Sequence, residues 1–178
     1  MNNIFEMGAT RRHGRLLDTL TRSITDLYRN NKLEDFSESV ALVYTGNRKE
    51  SDSCILVNID NAENKNIKSF INTLNNVIPD YMHFKSGNRF VLNENETMLA
   101  GRPDLIIEVW SENNSILDRE FKKYLYGTSS ITEHWYIEQD SNIVECYYGQ
   151  EKIENKNLGD ILVARDGIEF DLRYLKLD

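Results

Sequence analysis

Residues 103–110 read PDLIIEVW. Leu105, Ile106, Ile107, Val109 and Trp110 form an apolar run of strand length, and Glu108 stands inside it. A run this apolar predicts a strand covered on both faces. An ionised carboxylate buried without partners is expensive, so Glu108 must be protonated, paired or bound to a cation. The competing reading is an edge strand with Glu108 in water. Ile106 and Trp110 would then share the exposed face.

Working outward, Pro103 opens this run, and the only other proline, Pro79, opens a second one, PDYMHF at 79–84. Proline is tolerated as the first residue of a strand, where the missing N–H costs little. The repeated PD could therefore be no more than two strand starts. Ser86, Gly87 and Asn88 predict a turn before the β-like RFVL.

Downstream, residues 115 to 128 predict a helix. Ser115 stands three residues before Asp118, a capping box with Asp in place of Glu. Leu117, Phe121, Tyr124 and Leu125 form its apolar stripe. At about 100° per residue, Asp118 and Lys122 border that stripe and Lys123 points to the opposite, solvated side. Packed on the sheet, such a helix brings Lys122 toward the strand of Glu108. Without that packing, Asp118 and Lys122 are an ordinary surface i,i+4 pair.

The remaining elements are conventional. Residues 10–31 predict an amphipathic helix capped by Thr10, with Arg11, Arg12 and Arg15 crowding its first turns. The macrodipole disfavours positive charge there, so these arginines are either a solvated face or a contact to phosphate. SVALVY (39–44) and CILVNI (54–59) predict a hairpin around the polar loop GNRKESDS. IKSFINTLNNVI (67–78) keeps helical spacing and stops before Pro79. WYIEQD and a short C-terminal segment read as strands, and Ile143 to Tyr148 as part of a hairpin. No repeat or interdomain linker interrupts the chain, which predicts a single α+β domain over 1–178 with a mixed central sheet flanked by helices.

The 178 residues are 40% hydrophobic and 28% charged, a folded composition, with a net charge of −8 from 29 acidic and 21 basic residues. That balance disfavours a protein that simply coats nucleic acid, but allows an enzyme that meets a phosphate backbone locally. It also suits carboxylates that gather a cation. No apolar run approaches the roughly 20 residues that span a bilayer, so no membrane partner is expected. The first residues lack the apolar core of a signal peptide. The two cysteines, Cys54 and Cys146, lie in apolar strand-like stretches, which predicts reduced core residues and a cytoplasmic protein.

These parts share a chemistry. Phosphodiester hydrolysis needs charge stabilisation on the scissile phosphate and a water made nucleophilic near neutral pH, and Mg²⁺ or Mn²⁺ supplies both. Such ions take oxygen ligands, usually one or two carboxylates completed by waters and substrate phosphate. A nearby lysine can orient the water or neutralise developing charge.

PDYMHF, GRPDLIIEVWSENNS and LDREFKKYLYGTSSITEHWYIE together resemble the Uma family of restriction-endonuclease-like proteins, a branch of the PD-(D/E)XK nuclease superfamily. Asp118, Arg119, Lys122, Tyr126, Glu133 and Trp135 fall in the family's register without a gap. The resemblance implies a restriction-endonuclease-like fold and a metal-dependent endonuclease. In it Asp80 and Glu108 bind Mg (or Mn), the backbone carbonyl of Val109 is a further ligand, and Lys122 assists the attacking water. It places the lysine on the helix, so that Trp110 occupies the usual lysine position, and it makes Asp104 the second, non-catalytic PD aspartate. It further implies a nucleic-acid substrate, with DNA favoured over RNA, and a homodimer. Ser130, Thr132 and His134 depart from the family's Gly, Pro and Tyr, and Glu112 from its Pro. His13 and Gly14 stand where members often carry a similar pair, and His13 reads as a helix-surface residue.

On this reading Glu108→Ala should abolish divalent-dependent cleavage with little loss of folding. Two alternatives stand beside it. One is a non-catalytic protein on a nuclease fold that binds a partner or nucleic acid. The other is an ordinary domain in which Glu108 pairs with a basic residue such as Arg102.

Overall fold

The computed structural model describes residues 11–30, 35–49, 54–57, 74–85, 88–92, 95–128, 133–139 and 141–173; of Arg11, Arg12, Asp35, Phe36 and Ile55 only the backbone is described. PDLIIEVW supplies the centre of a six-stranded mixed sheet. Strand β8 (Leu105–Trp110) lies between β5 (Tyr81–Phe84), antiparallel to it, and β9 (Glu133–Glu138), parallel to it. All six of its residues are buried, so the edge-strand reading is excluded. The sheet runs β1 (Asp35–Glu38), β5, β8, β9, β10 (Ile143–Tyr148), β11 (Glu151–Asn157).

Side chains of β8 alternate between two cores. Leu105, Ile107 and Val109 enter a cluster with Leu16, Leu20, Ile24 and Leu27 of helix α1 (Arg11–Arg29). The hairpin of β12 (Ile161–Val163) and β13 (Glu169–Asp171) closes that cluster through Leu162 and Phe170. Ile106 and Trp110 enter a second cluster with Phe121, Leu125 and Tyr126 of helix α2 (Ile116–Thr128). Helix α2 joins the parallel pair β8 and β9, the crossover that such a pair requires. Glu108 therefore points to the α2 side.

A second sheet, not anticipated from sequence, completes that side. Strand β2 (Ala41–Thr45) pairs antiparallel with β3 (Ile55–Leu56) and β4 (Asn75–Val77), and parallel with β7 (Met98–Gly101), which carries β6 (Arg89–Val91). The expected hairpin of residues 39–44 and 54–59 is thus present as β2 and β3, although Asn58 and Ile59 lie outside the described residues. The helix expected over 67–78 is corrected at its described end. Residues 75–77 form a strand, with Val77 opposite Leu42 in the second core. Pro79 pulls the chain toward extended geometry, and β2 offers a free ladder. Residues 67–73 lie outside the described residues, as do Thr10, Ser86, Gly87, Ser130 and Thr132.

Two expectations for α2 need correcting. Leu117 is not on the buried stripe but 83% exposed, because the helix docks only from Phe121 onward. Lys123 is not solvated. Its ammonium donates to Glu145 at 3.2 Å and lies about 5 Å from the centroids of the Trp110, Tyr136 and Tyr147 rings. The twisted sheet carries β9 and β10 under that flank of the helix. Cys54 and Cys146 are both buried and unbridged.

His134 on β9 is buried, with one ring nitrogen 2.7 Å from the Tyr136 hydroxyl and the other 2.8 Å from the Gly149 carbonyl. Burial lowers its pKa from 6.5 to about 4. Between those values the unfolded chain binds the proton more tightly than the native one. Stability present above pH 6.5 is therefore lost as pH falls toward 4, by up to about 3 kcal/mol at 1.36 kcal/mol per unit. Urea unfolding of wild type and His134→Gln at pH 7 and pH 4.5 should show the wild-type advantage shrinking at the lower pH. A constant difference would remove His134 from the acid sensitivity.

Candidate active site

The two PD aspartates sit at opposite ends of the antiparallel pair β5 and β8, and each holds the far end of the other strand. Asp80, just before β5, accepts the Val109 N–H through Oδ2 at 2.7 Å. Asp104, just before β8, accepts the Lys85 N–H through Oδ2 at 2.7 Å. The surroundings differ. Asp104 lies beside Lys85 Nζ and Asn88 at the closed end. Asp80 lies at the end where β5 stops and β8 continues, and there a cavity opens.

That cavity, about 590 Å³, is lined by Asp80, Glu108, Val109 and Lys122, together with His13 from α1 and Arg48 from the loop after β2. The sequence-predicted group is thus brought to one place. Glu108 is 2% exposed and fully partnered: Lys122 Nζ donates to Oε2 at 2.8 Å, and the buried Tyr126 hydroxyl donates to Oε1 at 2.6 Å. Lys122 and Tyr126 are four residues apart on α2, so one helix face supplies both donors. Ser115 caps that helix, its Oγ accepting the Asp118 N–H at 3.1 Å. Arg119 fixes the helix to the end of β8 by donating to the Ser111 carbonyl at 2.6 Å, while its other arm reaches Glu138.

The electrostatics follow from this packing. Burial pushes the Glu108 pKa up to about 7, against the pull of Lys122 and with a further push from Asp80. Burial alone would lower Lys122, but Glu108 outweighs it and holds the ammonium charged. Tyr126 is driven far above its ordinary range by burial and by the neighbouring Glu108, so it remains a donor.

Several expectations are redrawn here. Asp118 does not pair with Lys122 but with Arg48, and Glu108 pairs with Lys122 rather than Arg102. Of the first-turn basic residues, Arg15 is exposed and absent from the cavity wall, and the side chains of Arg11 and Arg12 lie outside the described residues. His13, read from sequence as a surface residue, lines the cavity instead. Tyr126 was legible only as the residue four after Lys122, and nothing in the spacing of Arg48 announced it.

A divalent ion suits the donor set that faces the cavity. Asp80 and Glu108 are hard oxygen donors on neighbouring strands, close enough that Asp80 raises the Glu108 pKa. In an extended strand the N–H and C=O of one residue point to the same edge, so the Val109 carbonyl faces the Asp80 side. Among the described residues no three His, Cys, Asp or Glu side chains form a cage. An ion here would complete its shell from backbone, water and substrate, which is the habit of Mg²⁺.

A separate groove on the other face of the sheet, about 580 Å³ between α1 and the β12–β13 hairpin, holds charges that pair locally, such as Arg22 with Asp18 and Arg173 with Asp171. It gathers no comparable group.

Residues 62–177 match the model of a family, Uma2, described as "Putative restriction endonuclease". Among solved structures, the chain is similar to a "putative nuclease belonging to DUF820" from Anabaena variabilis ATCC 29413. The TM-score is 0.58 at 14% identity, covering 94% of this chain and 83% of that one. At that identity the likeness speaks to the fold. No curated protein matches the sequence.

Proposed function

Since the chain belongs to the Uma2 restriction-endonuclease family, we propose that the Asp80–Glu108–Lys122 cavity is the active site of a metal-dependent endonuclease that hydrolyses phosphodiester bonds of nucleic acid, with DNA the expected substrate. The observation that carries this reading is the 2.8 Å contact of Lys122 with a buried Glu108 facing Asp80 across one open cavity. Two carboxylates and a charged lysine at the exposed end of a central strand pair are what hydrolysis of a phosphodiester requires.

Asp80, Glu108 and the Val109 carbonyl would hold Mg²⁺ or Mn²⁺, which when bound supplies charge neutralisation at the phosphate and lowers the pKa of water. Asp80 is oriented for this by the Val109 N–H. Tyr126 fixes one oxygen of Glu108 and leaves the other to Lys122. The Lys122 ammonium, reaching the cavity from its own helix, donates to the attacking water and offsets negative charge as it builds on the phosphate. Burial of Glu108 keeps the local dielectric low, where such contacts act most strongly.

The test is thermal unfolding with and without Mn²⁺, at pH 6 and pH 8, on wild type beside Asp80→Asn. An ion that binds only the native state raises stability by RT ln(1 + [L]/Kd). With its pKa at about 7, Glu108 must give up a proton to bind the ion below that pH. The shift should therefore be larger at pH 8 than at pH 6 and vanish in the variant. A wild-type chain that gives no divalent-dependent shift at either pH, and no divalent-dependent cleavage of duplex or single-stranded DNA or RNA, would sink the proposal.

A further inference from the structure

Arg48 stands on the wall of the proposed active site, yet it lies outside the segment matched to the family, which begins at residue 62. Residues 46–49 are held in place. Gly46 turns the chain with φ 105°, a value that favours glycine, and its carbonyl accepts from Asn75 Nδ2 at 2.8 Å. Asn47 Oδ1 accepts the Lys49 N–H at 3.1 Å, an Asx turn that fixes the residue between them. The guanidinium then lies 4.7 Å from the centroid of the Phe121 ring and donates through Nη2 to Asp118.

Arg48 therefore rests on α2 by two contacts, about half exposed, with the planar face on an aromatic ring. It also borders a second groove, about 980 Å³, that runs between its loop and the Tyr124 side of α2. Arg48 and Asp118 are common to both walls.

The charge pattern gives this position a purpose. The chain carries a net −8, and the cavity itself presents Asp80, Glu108 and Asp118. Lys122 is already engaged by Glu108. A polyanion entering the cavity needs a further cation that is accessible, and Arg48 offers one with five N–H donors in a planar fork that matches phosphate. The pair is open to water, with Arg48 52% and Asp118 28% exposed, and such a pair is weak enough for a phosphate to displace the carboxylate.

We propose that Arg48 is a substrate-binding residue of this chain: its guanidinium takes a backbone phosphate of the nucleic acid where the cavity meets the second groove, exchanging Asp118 for that phosphate. The proposal rests on the nuclease reading above. It assigns the phosphate contact to a residue that the family match does not contain.

The experiment compares wild type, Arg48→Ala and Arg48→Lys on one fluorescent 20-base-pair DNA duplex, in Mn²⁺, by steady-state cleavage and by anisotropy across a salt series. Arg48→Ala should raise KM about tenfold with kcat little changed and leave the melting temperature unaltered. It should also lower the slope of log affinity against log salt by about one, the signature of one lost phosphate contact. Arg48→Lys should keep the slope while recovering only part of KM, because a point charge replaces a bidentate fork. A purely structural arginine would move the melting temperature and not the slope. If wild type cleaves and Arg48→Ala shows the same KM and slope, the assignment of Arg48 is wrong and the nuclease reading stands. If wild type binds without cleaving, the slope alone decides for or against Arg48. If wild type neither binds nor cleaves, both readings fall together.

Discussion

Asp80→Asn is expected to lower divalent-dependent cleavage by about a thousandfold or more while leaving stability within about 0.5 kcal/mol of wild type. The asymmetry comes from the two jobs of this carboxylate. Its structural job is to accept the Val109 N–H at 2.7 Å, and the amide oxygen of asparagine can do the same. Its proposed chemical job is to hold a cation as an anion, which asparagine does poorly. A thousandfold is about 4 kcal/mol of transition-state stabilisation, the order that a metal contributes in such sites. The measurement is kcat/KM on a duplex in Mn²⁺, with urea unfolding of the same preparation. Cleavage within tenfold of wild type would remove Asp80 from the metal site. Asp104→Asn is the matched control, since Asp104 makes the same kind of bond to the Lys85 N–H at the closed end.

That symmetry explains both what could be read in the sequence and what could not. The PD repeat marks two strand starts, as its proline suggests, and each aspartate ties down the neighbouring strand. Nothing local to either dipeptide says which end opens onto a cavity. The decision lies largely in residues far away in sequence: β8 runs on to Trp110 past the start of β5 at Tyr81, α2 returns with Lys122 and Tyr126, and α1 delivers His13. Glu108 was legible because a carboxylate in an apolar run demands a partner. Lys122 followed from helical phase, as did Phe121 and Leu125.

Phase misled at Leu117 and Lys123, since it ranks the faces of a helix without saying where along its length docking begins. Strand β11 was missed for a different reason. EKIENKN alternates charges and is almost wholly exposed, so it carries no apolar signal. It is an edge strand held by its ladder to β10, and its charges guard that edge against further pairing. Strands β4 and β7 are three and four residues long, too short for periodicity to declare them. The second sheet they build with β2 depends on tertiary pairing alone.

The buried ion pair yields the second large effect, and it changes what Glu108→Ala can prove. From sequence alone that variant should fold nearly as well as wild type. With Lys122 only 11% exposed and bonded to Glu108 at 2.8 Å, alanine at position 108 strands a charged amine beside an unfilled gap. It also removes the acceptor of the buried Tyr126 hydroxyl. Breaking one partner of such a pair costs about 3–5 kcal/mol. Lost activity in Glu108→Ala could thus reflect lost folding, which is why Asp80→Asn is the cleaner probe.

Lys122→Met behaves differently, because Glu108 can take up a proton. Its pKa is already about 7 with Lys122 present, and removing the ammonium raises it further. A carboxyl whose native pKa lies above its unfolded value gives stability that is complete at low pH and is lost as pH rises through the native value. Lys122→Met should therefore be close to wild type at pH 6 and clearly weaker at pH 8. Combining it with Glu108→Gln removes both charges and keeps an acceptor for Tyr126. That double variant should equal or exceed wild-type stability at pH 8 and lack activity. Urea unfolding of wild type, Glu108→Gln, Lys122→Met and their double at both pH values closes the cycle, with Glu108→Ala measured beside them. If Glu108→Ala costs under about 1 kcal/mol, or Lys122→Met shows no pH dependence, the pair is not the buried, coupled unit that its geometry describes.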